Sequence, residues 1–245
     1  MFTATIKKAI VFKKIVNILN NLFHSIYIHI ENNCIKILMV TTCGKMLFDI
    51  SLDFDEFVGD QPITFSVDSK HLLQSLKSLK VTDSVVLKIN SDAPNKLIIE
   101  NVSYNFTDEF FCFITETQSL TNDDEFQYEN VIEAKNSKFQ KLCKQFRDIS
   151  PELIVNSNSK YITFSSKLEK MVGRSYTIGD KTGSGEEEFV GVYSAENFVN
   201  ISTISGLSNT LYFYVSKHNP LGIEARFGKS DYFKVWLKNS NECEP

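Results

Sequence analysis

The chain has 245 residues, 42% hydrophobic and 12% aromatic, with 10 glycines and 5 prolines; that composition excludes a disordered polypeptide. Lys, Asn or Asp breaks each apolar stretch well before the roughly 18 to 20 residues that cross a bilayer, so no membrane association is expected. The 26 basic and 30 acidic residues leave a net charge of −4, which argues against wholesale nucleic-acid binding until the charges are located.

Five cysteines (Cys34, Cys43, Cys112, Cys143, Cys243) form an odd set with no C-x-x-C pair, as suits a reducing, intracellular compartment. Lys7, Lys8, Lys13 and Lys14 thread the apolar N-terminus without a small-residue cleavage site, so no signal peptide is read.

The first predicted element is a helix over about residues 10–22, where Phe12, Ile15, Val16, Leu19 and Leu22 draw one stripe at helical spacing. An alternating strand follows at Ile26-Tyr27-Ile28-His29-Ile30, and a second at Cys34-Ile35-Lys36-Ile37. A second helix is read over residues 69–80 on Leu73, Leu76 and Leu79, and Ser91-Asp92-Ala93-Pro94 comes after it.

The series then begins again. Phe139, Leu142, Cys143, Phe146 and Ile149 repeat the first stripe at an offset of 127, and Tyr161-Ile162-Thr163-Phe164 repeats the strand at Cys34, again at 127. Ile201, Ile204 and Leu207 follow at 128, and Lys217-His218-Asn219-Pro220 at 126. Four ordered matches within one residue of a common offset predict two copies of one α+β domain. The expected divisions are residues 1–115, a connector at 116–130, and residues 131–245.

Charge follows the same division of elements. The four predicted helices, about 10–22, 69–80, 138–149 and 195–207, carry Lys13, Lys14, Lys70, Lys77, Lys80, Lys138, Lys141, Lys144 and Arg147 against Asp148 and Glu196. Acid gathers elsewhere, at Asp53 to Asp60, Asp123 to Glu125, Glu186 to Glu188 and Glu242 to Glu244. Helix dipoles favour cations near C-termini, yet these lysines run from first turn to last. A polar face of Lys, Asn, Gln and Ser suits a polyanion held loosely through its phosphates, with little base reading.

Catalytic signatures are missing. His24, His29, His71 and His218 lie in no metal-ligand spacing. The run from Gly179 to Gly185 lacks the Gly-Lys-Ser/Thr ending of a phosphate loop and leads into Glu186-Glu187-Glu188, which repels phosphate; it reads as a hairpin loop. No enzyme activity, metal or cofactor is expected.

In its ordered motifs the chain resembles the sliding clamps of the proliferating cell nuclear antigen family over essentially its full length. The resemblance is carried by Met1-Phe2, the first helix with Lys13-Lys14, and Phe139-x-Lys141-Leu142-Cys143-Lys144. Glu186-Glu187-Glu188, Asn219-Pro220-Leu221 and the closing Tyr232-Phe233-Lys234-Val235-Trp236-Leu237 continue it. It implies the DNA clamp fold: two duplicated domains, each with two β-sheets outside and two α-helices lining the inner face. Three chains would close head to tail into a homotrimeric ring around double-stranded DNA. The strand with Phe110, Phe111 and Phe113 would meet the strand with Arg174, Tyr176 and Ile178 across subunits.

The resemblance also implies a pocket for short aromatic-bearing motifs of a DNA polymerase, a clamp loader or other proteins. Val40, Gly44, Lys45, Leu47, Leu120, Pro220, Trp236 and Leu237 fall at the matching positions. The connector departs from the family in having Thr121 and Asp123 where apolar pocket residues are usual. Thr203 replaces a DNA-contacting lysine, and Ser159 a modified one. The function implied is a non-enzymatic processivity factor in the nucleus or, for a virus, at a host nuclear or cytoplasmic replication site. The alternative is a checkpoint-type or transcription-linked paralogue acting as a scaffold, possibly in a heteromeric ring.

Overall fold

Strands dominate the chain because Val, Ile, Phe and Tyr recur with period two, so most strands bury one side and leave the other half-exposed. The computed structural model describes residues 1–245 except 32, 60–61, 118–125, 129, 137–138, 159, 167–172, 180–188 and 241–245. It divides into two units. The first comprises Met1–Met39, Asp49–Thr121 and Gly228–Tyr232, the second Val40–Phe48, Asn122–Phe227 and Phe233–Pro245.

The first unit runs β1 (Phe2–Ile6), α1 (Ala9–Asn20), β2 (Ser25–Glu31), β3 (Cys34–Val40), β4 (Met46–Asp53), β5 (Glu56–Gly59), β6 (Ile63–Asp68), α2 (Ser69–Ser75), β7 (Ser84–Ile89), β8 (Lys96–Val102) and β9 (Thr107–Glu116); β3 and β4 each end or begin in residues assigned to the second unit. Its strands are ordered β5-β1-β7-β8-β9 and β9-β6-β2-β3. β9 serves both sets: Thr107 to Phe113 pair with β8, and Ile114 to Glu116 with β6. α1 packs against α2, burying Phe12, Ile15, Val16 and Leu19 as the stripe predicts; Leu22 is half-buried.

The second unit runs β10 (Asn130–Lys135), α3 (Phe139–Ile149), β11 (Glu152–Ser157), β12 (Tyr161–Ser166), β13 (Ser175–Gly179), β14 (Phe189–Ser194), α4 (Ala195–Ile201), a 3-10 turn (Ser202–Gly206), β15 (Thr210–Val215), β16 (Leu221–Arg226) and β17 (Tyr232–Leu237). The sheets are β13-β12-β11-β14 and β10-β15-β16-β17. Edge-to-face rings hold its core: Phe213 lies 5.7 Å from Phe139 and 5.8 Å from Phe164, whose ring is 5.7 Å from Phe198. Such pairs add about 0.5–1.5 kcal/mol each beyond their burial.

The two units repeat one element order, with β5 lacking a counterpart among the described residues. The fold is α+β and duplicated, built on antiparallel sheets. Three expectations shift in detail. The predicted helix 69–80 ends at Ser75, where Leu76 leaves helical geometry at φ −91, ψ 0, and the predicted 195–207 becomes α4 followed by the 3-10 turn. Leu73 is half-buried; Leu72 and Phe198 fill the equivalent core positions at an offset of 126, while Leu76/Ile204 and Leu79/Leu207 match at 128. Two extra residues are thus absorbed in the tight turn. Finally, Tyr161 to Phe164 do not alternate: Thr163 is buried, its hydroxyl bonded to that of Thr177 at 2.9 Å.

Candidate functional site

On α3, Lys141, Lys144 and Arg147 are exposed on the side opposite buried Phe139, Leu142, Cys143 and Phe146. Arg147 Nε is 3.7 Å from Asp148 Oδ1, a surface pair. On α1, Lys14 and Asn17 are exposed one turn apart. Lys13 is half-buried, and its ammonium donates to the carbonyls of Lys77 at 2.6 Å and Leu79 at 3.2 Å. Lys70 is exposed on α2, whereas exposed Lys77 and Lys80 lie in the turn after it. Lys138 lies outside the described residues, as do Leu120, Thr121, Asp123, Ser159 and Glu186 to Glu188.

A second feature lies within the second unit. Gly44, Lys45, Leu47, Phe126, Pro220, Trp236 and Lys238 surround a depression of about 240 Å³. The chain reverses at one rim because Met46 N–H donates to Thr41 Oγ1 at 3.1 Å and Gly44 N–H to the Thr41 carbonyl at 2.7 Å. Gly44 sits at φ +67, a conformation glycine adopts at low cost. Lys238 N–H then donates to the Lys45 carbonyl at 2.9 Å.

The opposite wall is aromatic. Trp236 is 7% exposed, with its ring 5.6 Å from that of Phe126. Two hydrogen bonds fix the segment carrying Phe126: Tyr128 hydroxyl to the Pro220 carbonyl at 2.5 Å, and Asn219 Nδ2 to the Gln127 carbonyl at 2.5 Å. Burial pushes the Tyr128 hydroxyl well above the usual phenol range, so it stays a donor. Behind it stands Tyr214, its ring 5.5 Å away and its hydroxyl joined to Glu224 and Arg226. Burial, reinforced by Glu224, raises the Tyr214 hydroxyl to about 12.

Of the expected pocket residues, Gly44, Lys45, Leu47, Pro220 and Trp236 come together here. Val40 is 50% exposed and is not among the lining residues; Leu237 is fully buried, on the other face of β17 from Trp236. Phe126 and Lys238 were missed. The available signal for Phe126 was a single aromatic following Asp123-Asp124-Glu125, a position where a solvated linker has no use for a ring.

The third feature is a pair of open strand edges. Thr107 to Phe113 of β9 pair with β8 on one side, and β13 pairs with β12 on one side, with no second partner strand among the described residues. Phe111 is 59% and Phe113 65% exposed, with Phe110 also outward; Lys96 Nζ sits 5.1 Å from the Phe111 ring centre. On β13, Tyr176 and Ile178 are half-buried beside exposed Arg174. Gly179 closes β13 at φ +94, where a Cβ would stand 2.2 Å from the Lys160 carbonyl oxygen.

Residues 1–123 match the N-terminal domain of proliferating cell nuclear antigen. A mimivirus protein from Acanthamoeba polyphaga mimivirus, named a probable DNA polymerase sliding clamp, is 27% identical over 224 residues, which are 84% of this chain. The chain spans about half of that relative, 48% of its length. A probable DNA polymerase sliding clamp 1 from Paramecium bursaria Chlorella virus 1 is 19% identical over 238 residues, 91% of each protein. The crystal structure of proliferating cellular nuclear antigen from Entamoeba histolytica has the same fold, with a TM-score of 0.85 over 98% of both chains at 19% identity. With half of its length matched by that family's N-terminal domain, the chain belongs to the proliferating cell nuclear antigen family.

Proposed function

We propose that the chain is a DNA sliding clamp, a processivity factor that acts by enclosing duplex DNA rather than by catalysis. The observation that carries this reading is the pair of open edges, β9 and β13, in a duplicated chain of this family. Exposed edges are a liability that closure removes. An edge in each unit of one chain is the arrangement from which head-to-tail copies build a ring. Three copies of two domains each make the proposed homotrimer.

Lys14, Lys70, Lys141, Lys144 and Arg147 are the proposed phosphate contacts. Such contacts are independent of sequence and individually weak, so the ring slides. The depression at Leu47, Phe126, Pro220 and Trp236 is the proposed docking point for a polymerase or loader segment. Tethering raises the polymerase's effective concentration at the primer end.

Sedimentation of the purified protein at micromolar concentration tests the ring. The expected species has three times the 28.0 kDa chain mass. A monomer persisting to tens of micromolar would overturn self-closure.

A further inference from the structure

The depression in the second unit has a sign. Its charged lining residues among those described, Lys45 and Lys238, are both cationic, and neither forms an ion pair with a described carboxylate. The hydrogen bond from Lys238 N–H to the Lys45 carbonyl, 2.9 Å, holds the two residues against each other. Lys234, two residues before Trp236 and hence on the same face of β17, stacks its ammonium 4.9 Å from the Trp236 ring and 4.3 Å from Tyr214.

At about 240 Å³ the space admits one or two side chains rather than a compact ligand. Its inner wall is the Phe126–Trp236 corner and its rim is lysine. We propose that the occupant is a short peptide that seats an aromatic or aliphatic side chain in that corner and sets a carboxylate beside it, facing Lys45 and Lys238. This rests on reading the depression as the partner-peptide site, and it adds the charge of the partner. Nucleic acid also seeks lysine, but the apolar corner offers a phosphate nothing. Asp123, Asp124 and Glu125 precede Phe126 in the chain and lie outside the described residues, so the full chain is the right test object.

Three short fluorescein-labelled peptides with one Phe-Phe anchor, flanked by Glu, by Gln or by Lys, are titrated into the protein at low salt and followed by anisotropy. The Glu peptide should bind about fivefold tighter than the Gln peptide, and the Lys peptide weakest, as expected for two partly exposed pairs. The advantage should shrink in salt and vanish in the Lys45→Gln/Lys238→Gln double variant, whose melting temperature serves as the folding control. Equal or reversed preference, with binding still abolished by Phe126→Ala, would overturn the charge assignment while leaving the pocket. Displacement of the Glu peptide by duplex DNA at equal potency would assign the lysines to nucleic acid and also overturn it. If none of the three binds and Trp236 fluorescence is unmoved, the pocket reading falls with it.

Discussion

Lys13 on α1 reaches the carbonyl of Lys77, in the turn after α2, with its ammonium nitrogen 2.6 Å from the oxygen. A second bond, 3.2 Å to the Leu79 carbonyl, completes the arrangement. The cation therefore satisfies carbonyls of the non-helical turn that follows α2. It joins the two helices of the first unit instead of offering itself to phosphate.

Replacing it separates stability from binding. Lys13→Ala should lower unfolding free energy by about 1.5 kcal/mol, the low end of the range for a hydrogen bond involving a charged group, since the bond to Lys77 is exposed. Its effect on DNA affinity should be smaller than that of Lys14→Ala. Chemical denaturation and anisotropy on a labelled duplex read the two quantities.

Lys14→Glu combined with Lys141→Glu should leave the melting temperature unchanged, because both side chains are exposed. It should sharply reduce DNA binding, and the slope of log affinity against log salt should flatten by about two units for each subunit that contacts the duplex, roughly one per lost phosphate contact. A double variant that binds and stimulates a polymerase like the parent would remove these helices from the DNA face.

Phe113→Glu places a charge on the open edge of β9, at a residue 65% exposed. The monomer's stability should change by less than about 0.5 kcal/mol, as for surface substitutions generally. Sedimentation should show the trimer lost. A variant that remains trimeric would move the subunit contact away from this edge.

Cys43 should be the fast thiol among the described cysteines. It is exposed, and the Thr41 hydroxyl beside it lowers its pKa from 9.0. Burial raises Cys34, lifts Cys112 to about 11, and raises Cys143 further. Because the thiolate is the reactive form, modification by a disulfide reagent should speed up as pH approaches a midpoint below 9, with the buried thiols silent in the folded protein. Cys43→Ser should remove one equivalent of the fast phase.

What could be read from the chain depended on whether the signal was local. The stripes of α1 and α3 survive because each helix buries one face against its own sheet, and periodicity records that directly. The ends of α2 and α4 escaped because Leu76 and Leu79 continue a helical spacing through residues that are no longer helical. In the second copy, Thr163 looked like a solvent-facing residue, but its partner, Thr177, lies on another strand. The aromatic corner was half legible: Trp236 stood out, whereas Phe126 acquires its place through Tyr128 and Asn219, whose hydrogen bonds join segments about 90 residues apart.

The most direct test of the clamp itself uses linear duplex DNA with biotin at both ends. Protein is added either before or after streptavidin blocks the ends, and the complex is then washed in high salt. A ring threads over open ends and is trapped by later blocking, so protein should remain on DNA blocked after addition and be absent from DNA blocked beforehand. Equal retention on both, or retention on neither, would contradict encirclement.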